Sequence, residues 1–378
     1  MSIQWAEDAN FTNGPDVGTA TKVRPSTGFE QEGYVPGNPL PAQYLNWLLN
    51  QVGRRANALA GMLALNWQEI DGSAVTEGIH CVCRALNGTW VGVGGTGTST
   101  TKIYYSRNKG KTWAAATMPS TTGRFTSCVT NEDTGDVFAI GGGMILKSTD
   151  DGETFTDQSL TAFTGVDRCD SIFDPVSGRV ILADVNDSYS TADGTTYVNR
   201  TDPTQQMKRL ATNGLGRVVW VGDAGAILTT DDGAATAWTA RTSGTADDLF
   251  TVIWAGDKFI AAGESGTIRT SPDGTTWSAG ASSGIGATEH IFGLAYHGGV
   301  VIAFEGASGS LPNQPTAIAF SIDGGLTWDA RQAVISWRGD STSGNGSDPS
   351  RIQVVDGRLL MFTALNTVQD LYYASLLV

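Results

Sequence analysis

Histidine, cysteine and basic residues are all scarce in this 378-residue chain, and each shortage narrows its chemistry. Three histidines (His80, His290 and His297) leave little material for a histidine-based catalytic or metal centre. The four cysteines are Cys81, Cys83, Cys128 and Cys169, and without a secretion signal a disulfide framework is disfavoured. Cys81 and Cys83 are expected on opposite faces of one strand, and buried free thiols are expected throughout in preference to disulfides or a metal site. No cofactor is expected. Lysine and arginine total 24 against 38 aspartates and glutamates, a net charge of −14 without any basic run. Such a surface repels nucleic-acid phosphates and acidic membranes, so neither is expected as a partner. No apolar run approaches the roughly 20 residues that span a bilayer. The opening MSIQWAEDANFTNG lacks the basic start and apolar core of a secretory signal, so none is expected.

Glycine is plentiful, at 48 residues against 12 prolines, and the hydrophobic fraction is 40%. That mixture suits an all-β protein with many tight turns. A repeat makes the expectation specific. SRNKGKTW at 106–113 returns as STDDGETF at 148–155 and STADGTTY at 190–197. A looser TTDDGAATAW at 229–238 follows, then TSPDGTTW at 270–277 and SIDGGLTW at 321–328. Its glycines stand at 110, 152, 194, 233, 274 and 325, separated by 42, 42, 39, 41 and 51 residues, the length of a four-stranded propeller blade.

The chemistry of the repeat is that of a turn. Asn108, Asp150, Asp193, Asp231, Asp273 and Asp323 supply side-chain oxygens that accept backbone N–H bonds a few residues on. Gly110, Gly152, Gly194, Gly233, Gly274 and Gly325 supply positive φ without steric cost. The closing aromatic packs between sheets. These residues resemble the Asp-box, or BNR, repeat S-x-D-x-G-x-T-W of sialidases and of many non-enzymatic propellers. The resemblance implies that each box is structural and joins the third and fourth strands of a blade. Asn108 departs from it, as do the acids Asp193 and Asp273, each one place later.

Two short β-like runs precede every box, and a seventh pair, RLLMFTA and LYYAS, follows the last. The chain ends before that blade could supply its outer strand, whereas NWQEI at 66–70 resembles the strands that follow the boxes. The expectation is a seven-bladed β-propeller over 66–378, closed by strand 66–70, which leaves no exposed sheet edge.

Residues 1–65 read differently, as an extended-plus-helix module. PAQYLNWLLN opens a helix over about 41–65 with proline in its first turn. Leu45, Leu49, Val52, Ala56, Leu59 and Leu63 recur at spacings of 4, 3, 4, 3 and 4, a coiled-coil seam. Either the helix packs on its own chain, or the seam assembles a homotrimer. Trp5, GTATKVRP at 18–25 and the 41–50 helix start are similar to the amino-terminal regions of phage tail-fibre and other virion structural proteins. That resemblance implies attachment to other virion proteins, assembly in the host cytoplasm, and a carboxy-terminal domain that points outward.

Enzyme motifs are weak by comparison. The G-x-G-x-x-G at 92–97 lies in a strand with no helix behind it to hold phosphate. The G-x-S-x-G at 280–284 lacks strand–turn–helix context. Of the paired acids at 150/151, 231/232 and 247/248, four lie inside boxes, where a turn role suffices. A sialidase-like, glycan-degrading activity is the serious enzymatic alternative. The resemblance there implies an arginine triad, for which Arg84, Arg168, Arg217 and Arg351 are candidates, but no Arg-Ile-Pro motif is present. The favoured expectation is a non-catalytic virion part whose polar loops at 94–102, 306–316 and 337–350 meet a host-surface glycan or receptor. A purely architectural collar, baseplate or head fibre is the other alternative.

Overall fold

The computed structural model describes residues 68–69, 75, 79–95, 103–121, 123–158, 170–184, 186–200, 203–231, 237–281, 289–307, 317–332, 351–362 and 371–375. The expected module at 1–65, its helix at 41–65 and the seam Leu45, Leu49, Val52, Ala56, Leu59 and Leu63 lie outside the described residues. So do Gly233, Cys169, Arg168 and most of the three polar loops.

Among the described residues the strands form seven four-stranded antiparallel sheets, six of them in plain sequence order. The first strands are Ile79–Arg84, Phe125–Thr130, Asp170–Asp174, Met207–Thr212, Leu249–Trp254, Glu289–His297 and Arg351–Val355. Each lies beside the first strand of the next sheet, and Arg351–Val355 lies beside Ile79–Arg84. The sheets therefore close into a ring around a channel, which is a β-propeller. The last sheet is composite. Arg351–Val355, Arg358–Phe362 and Leu371–Ser375 are joined by Gln68–Glu69, with Gln68 opposite Tyr373 and Glu69 opposite Tyr372.

The core follows from the ring. The second strands WVGVG, VFAIG, VVWVG and FIAAG are buried at every position, because they carry a neighbouring sheet on both faces. Outer strands such as Ala114–Ala115 and Ser278–Ala279 are exposed. Buried apolar side chains cluster across seams between adjacent sheets. One cluster joins Val82, Trp90 and Tyr104 of the first sheet to Val355 and Leu360 of the last. Another joins Cys81, Cys83 and Val91 to Phe125, Cys128 and Leu146. Cys81 and Cys83 thus share one seam, contrary to the opposite-face expectation, since side chains two apart on a strand point the same way. Cys81, Cys83 and Cys128 are buried thiols outside any disulfide, and burial pushes the Cys128 thiol well above its ordinary pKa.

Polar stitches reinforce the seams. The Gln353 amide accepts from Val82 N–H at 3.3 Å and donates to Val82 C=O at 2.7 Å, behaving as one more peptide unit across the closing seam. Trp90 Nε1 donates to Asp356 at 3.0 Å across the same seam. Asp170 accepts from Leu210 N–H at 2.8 Å on one side and from Ser127 Oγ at 3.2 Å on the other, linking three consecutive sheets.

Candidate functional site

Two faces bound the channel. First strands run from one to the other, so the first-to-second turns and the third-to-fourth turns share a face, and the second-to-third turns lie opposite.

The boxes occupy the first of these faces. In the first copy Ser106 Oγ donates to Asn108 Oδ1 at 3.0 Å and accepts Gly110 N–H at 2.8 Å, while Thr112 N–H donates to Asn108 Oδ1 at 2.8 Å. The same net recurs around Asp150 and Gly152, and around Asp323 and Gly325. Asp193 and Asp273 belong to a shorter variant. There the hydroxyl of Thr191 or Ser271 accepts from Gly194 or Gly274 three residues on instead of four. The carboxylate accepts the next two N–H groups, of Thr195 and Thr196 or of Thr275 and Thr276. The residue removed is the left-handed one, which in the longer form is Lys109 (φ 58°), Asp151 (φ 61°) or Gly324 (φ 72°). Deleting it explains why the acid stands one place later. Asp231 in the fourth box pairs with Arg217 Nε at 2.6 Å.

The box glycines do a second job. A Cβ on Gly152 would run into Val91 of the preceding sheet, and one on Gly194 would come within 2.8 Å of Phe138. Gly274 faces Val219 and Gly325 faces Ile260 in the same way, at 3.0 and 3.2 Å. Val91, Phe138, Val219 and Ile260 are each the second residue of a second strand. These four boxes therefore fix the spacing between neighbouring sheets as well as the turn.

Hydrogen bonds hold the Asp193 carboxyl far below the usual carboxylate range, the Thr196 and Thr195 N–H groups foremost. Asp273 is lowered likewise, first by the Thr275 hydroxyl and then by Thr276 N–H. At Asp150 and Asp323 burial acts upward, but the hydroxyl and N–H of Thr154 and Thr327 outweigh it. Carboxylates held ionised and supplied with donors in this way are turn acceptors, poorly suited to act as general acids.

The opposite face is built from bulges. Pairing between first and second strands skips one residue at Ile79/Cys81, Phe125/Ser127, Met207/Arg209, Leu249/Thr251 and Ile291/Gly293. The extra residues are His80, Thr126, Lys208, Phe250 and Phe292, at one equivalent position in the pairing of five of the seven first strands. A bulge frees its residue from the ladder and re-aims the side chain, here on the face opposite the boxes. Three consecutive ones stack. Lys208 Nζ sits 4.2 Å from the Phe250 ring centroid, and Phe250 stacks on Phe292 at 5.1 Å and 22°. His290 meets both rings edge-on, at 5.7 Å from each.

Neighbouring turns pin this arc. Lys208 pairs with Asp223 and, at 2.9 Å, with Asp248, which also accepts Ala224 N–H at 2.8 Å. Burial pushes the Asp248 carboxyl up, but the Ala224 N–H and Lys208 bring it below its ordinary value. Ser265 N–H donates to His290 Nδ1 at 3.1 Å, so the neutral ring carries its proton on Nε2. Ala224 and Ser265 hold left-handed φ of 53° and 55° in equivalent tight turns, a cost accepted where donors must be aimed. His80, in the first sheet, bonds Gly95 C=O through Nε2 at 3.0 Å, and its burial lowers its pKa. Next to the arc the channel holds a cavity of about 380 Å³, lined by Ile172, Arg209, Thr251, Trp254, Phe292 and Tyr296 among others.

Of the arginines weighed as a triad, Arg168 and the side chain of Arg351 lie outside the described residues. Arg84 pairs with Asp356 at 2.9 Å and Arg217 with Asp231, on sheets three apart around the ring. Sequence reading missed the bulge residues. Their signal was a slip in alternation, visible as adjacent large apolar residues at Leu249-Phe250 and Ile291-Phe292.

No protein-family model and no curated protein matches the chain. Solved propellers do. A YCF48 bound to D1 peptide aligns with a TM-score of 0.60 at 19% identity, covering 82% of this chain and 94% of that one. The WD40 propeller domain of Doa1 gives 0.57 at 10%, covering 79% and 93%. A catalytically inactive virginiamycin B lyase from Staphylococcus aureus, solved with quinupristin, gives 0.58 at 10%, covering 82% and 99%. At these identities the likeness establishes the fold.

Proposed function

We propose that this chain is a non-catalytic bacteriophage virion component, a tail fibre or related appendage, whose propeller is a binding module. The observation that carries the binding role is the bulge arc beside the channel cavity. Aromatic and charged side chains are released from the strand ladder there and aimed at one opening, on a scaffold whose seams are cross-linked. The virion assignment rests on Trp5, the 18–25 stretch and the helix start at 41–50. In this reading residues 1–65 join other virion proteins, the seam from Leu45 to Leu63 forms a trimer, and assembly takes place in the host cytoplasm. Three propellers on one stalk would gain avidity from individually weak sites.

Incubation of the purified chain with host cells or extracted surface glycan, with retention and released reducing sugar both assayed, tests the proposal. Retention without release is the expected result. Release would make the protein a glycan-degrading tail enzyme, and neither retention nor release would make it architectural. Light scattering on the full chain and on one beginning at Leu65 should give a trimer and a monomer. Two monomers would remove the seam.

A further inference from the structure

The stack that begins at Lys208 stops at Phe292. Phe250 lies between two partners in ring order, the Lys208 ammonium from the fourth sheet and Phe292 from the sixth. Among the described residues Phe292 has ring contacts with Phe250 and His290, and it is half-buried where it lines the channel cavity. The stack thus ends on a ring in the wall of an open, concave space.

The polar groups around that space are mixed and nearly balanced. Arg209 and Asp170 line it with opposite charges, beside the hydroxyl-bearing Thr212 and Thr251. Beside the stack, Asp223 and Asp248 hold Lys208, and Glu264 accepts Asp248 N–H at 3.4 Å. Three fixed carboxylates there, on a chain of net charge −14, oppose an anionic ligand. Arg209 in the wall and Lys208 already over Phe250 oppose a cationic one.

What fits is a neutral ligand with one apolar face and an edge of groups that both donate and accept. The volume lies in the range of small-ligand pockets. The face of an aromatic ring carries negative potential and attracts weakly positive C–H groups. We infer that this cavity is a subsite for a neutral pyranose, whose C–H face lies on Phe292 and whose hydroxyls bond Thr212, Thr251 and Arg209 in its lining. The inference rests on the reading of the propeller as a binding module and names the chemistry of its ligand.

Saturation-transfer NMR on the full chain tests it, with the methyl pyranosides of glucose, galactose, mannose and N-acetylglucosamine as probes. Sialic acid and tetralysine serve as charged comparisons. At least one neutral pyranoside should bind, with saturation strongest at the ring protons of one face. Phe292→Ala should weaken that binding on the order of tenfold, the scale of one aromatic contact, and Phe292→Tyr should preserve it. Where the alanine variant fails to fold, Phe292→Leu keeps apolar bulk, removes the ring, and should show the same weakening. The inference is overturned if no neutral pyranoside binds, if only sialic acid or tetralysine does, or if Phe292→Leu binds as well as the wild type. Cell retention without pyranoside binding would overturn this subsite and leave the binding module standing.

Discussion

The two faces of the propeller put different residue types to different ends. On the box face, five described copies of one turn consume their own polar groups. Hydroxyl, carboxylate or amide, and backbone N–H close on each other within a few residues, and in four of them the glycine seats the turn against the previous sheet. On the bulge face the equivalent positions are filled by His80, Thr126, Lys208, Phe250 and Phe292, no two neighbours alike except the phenylalanines. Repetition marks where the fold is held, and variation at a repeated position marks where something else is served.

The comparison breaks most sharply at a box glycine. Gly152→Ala combines a left-handed φ of 91° with a clash against Val91, so a loss of about 3 kcal/mol is expected in urea unfolding. Its binding should survive wherever the chain stays folded. Next in size is the closing seam. Gln353→Leu strands Val82 N–H and C=O and should cost about 2 kcal/mol, read as a lower unfolding midpoint with an unchanged slope. On the bulge face Phe250→Ala removes a stacked ring and a cation–π partner. A stability loss of about 1 kcal/mol is expected together with a marked loss of retention on cells.

Acid gives the smallest and most diffuse effect. Asp150, Asp193, Asp273 and Asp323 all have folded pKa values depressed below those of the unfolded chain. Their contribution is therefore complete above the unfolded value of about 4 and is lost as pH falls through the folded values. Thermal unfolding should show stability dropping below about pH 4. Asp193→Asn combined with Asp273→Asn should flatten that drop, and an unchanged slope would remove the boxes from the acid response.

Much of the box face was legible in the sequence, because a turn is a local object and its residues lie within eight positions of one another. Even the displaced acids at Asp193 and Asp273 marked a real difference, the loss of one left-handed residue. The bulge face was hidden for the converse reason. Lys208, Phe250 and Phe292 are about 40 residues apart in sequence and meet only when three sheets are assembled, a non-local consequence of ring geometry. The seam bonds of Gln353 and Asp170 were equally illegible. Nothing near a glutamine in a strand says that its amide will bond a backbone 271 residues away. The pairing of Gln68–Glu69 with Leu371–Ser375 is also long-range, yet it could be anticipated because a ring of four-stranded sheets left one strand wanting.

The division of labour between the faces is tested most directly by a matched pair of variants, Asp323→Ala on the box face and Phe292→Leu on the bulge face. Each is measured for both unfolding midpoint and retention on host cells. The account predicts a crossed result: Asp323→Ala lowers the midpoint and keeps retention, while Phe292→Leu nearly keeps the midpoint and loses retention. Loss of retention in a folded Asp323→Ala protein, with Phe292→Leu still bound, would place the binding surface on the box face and contradict it.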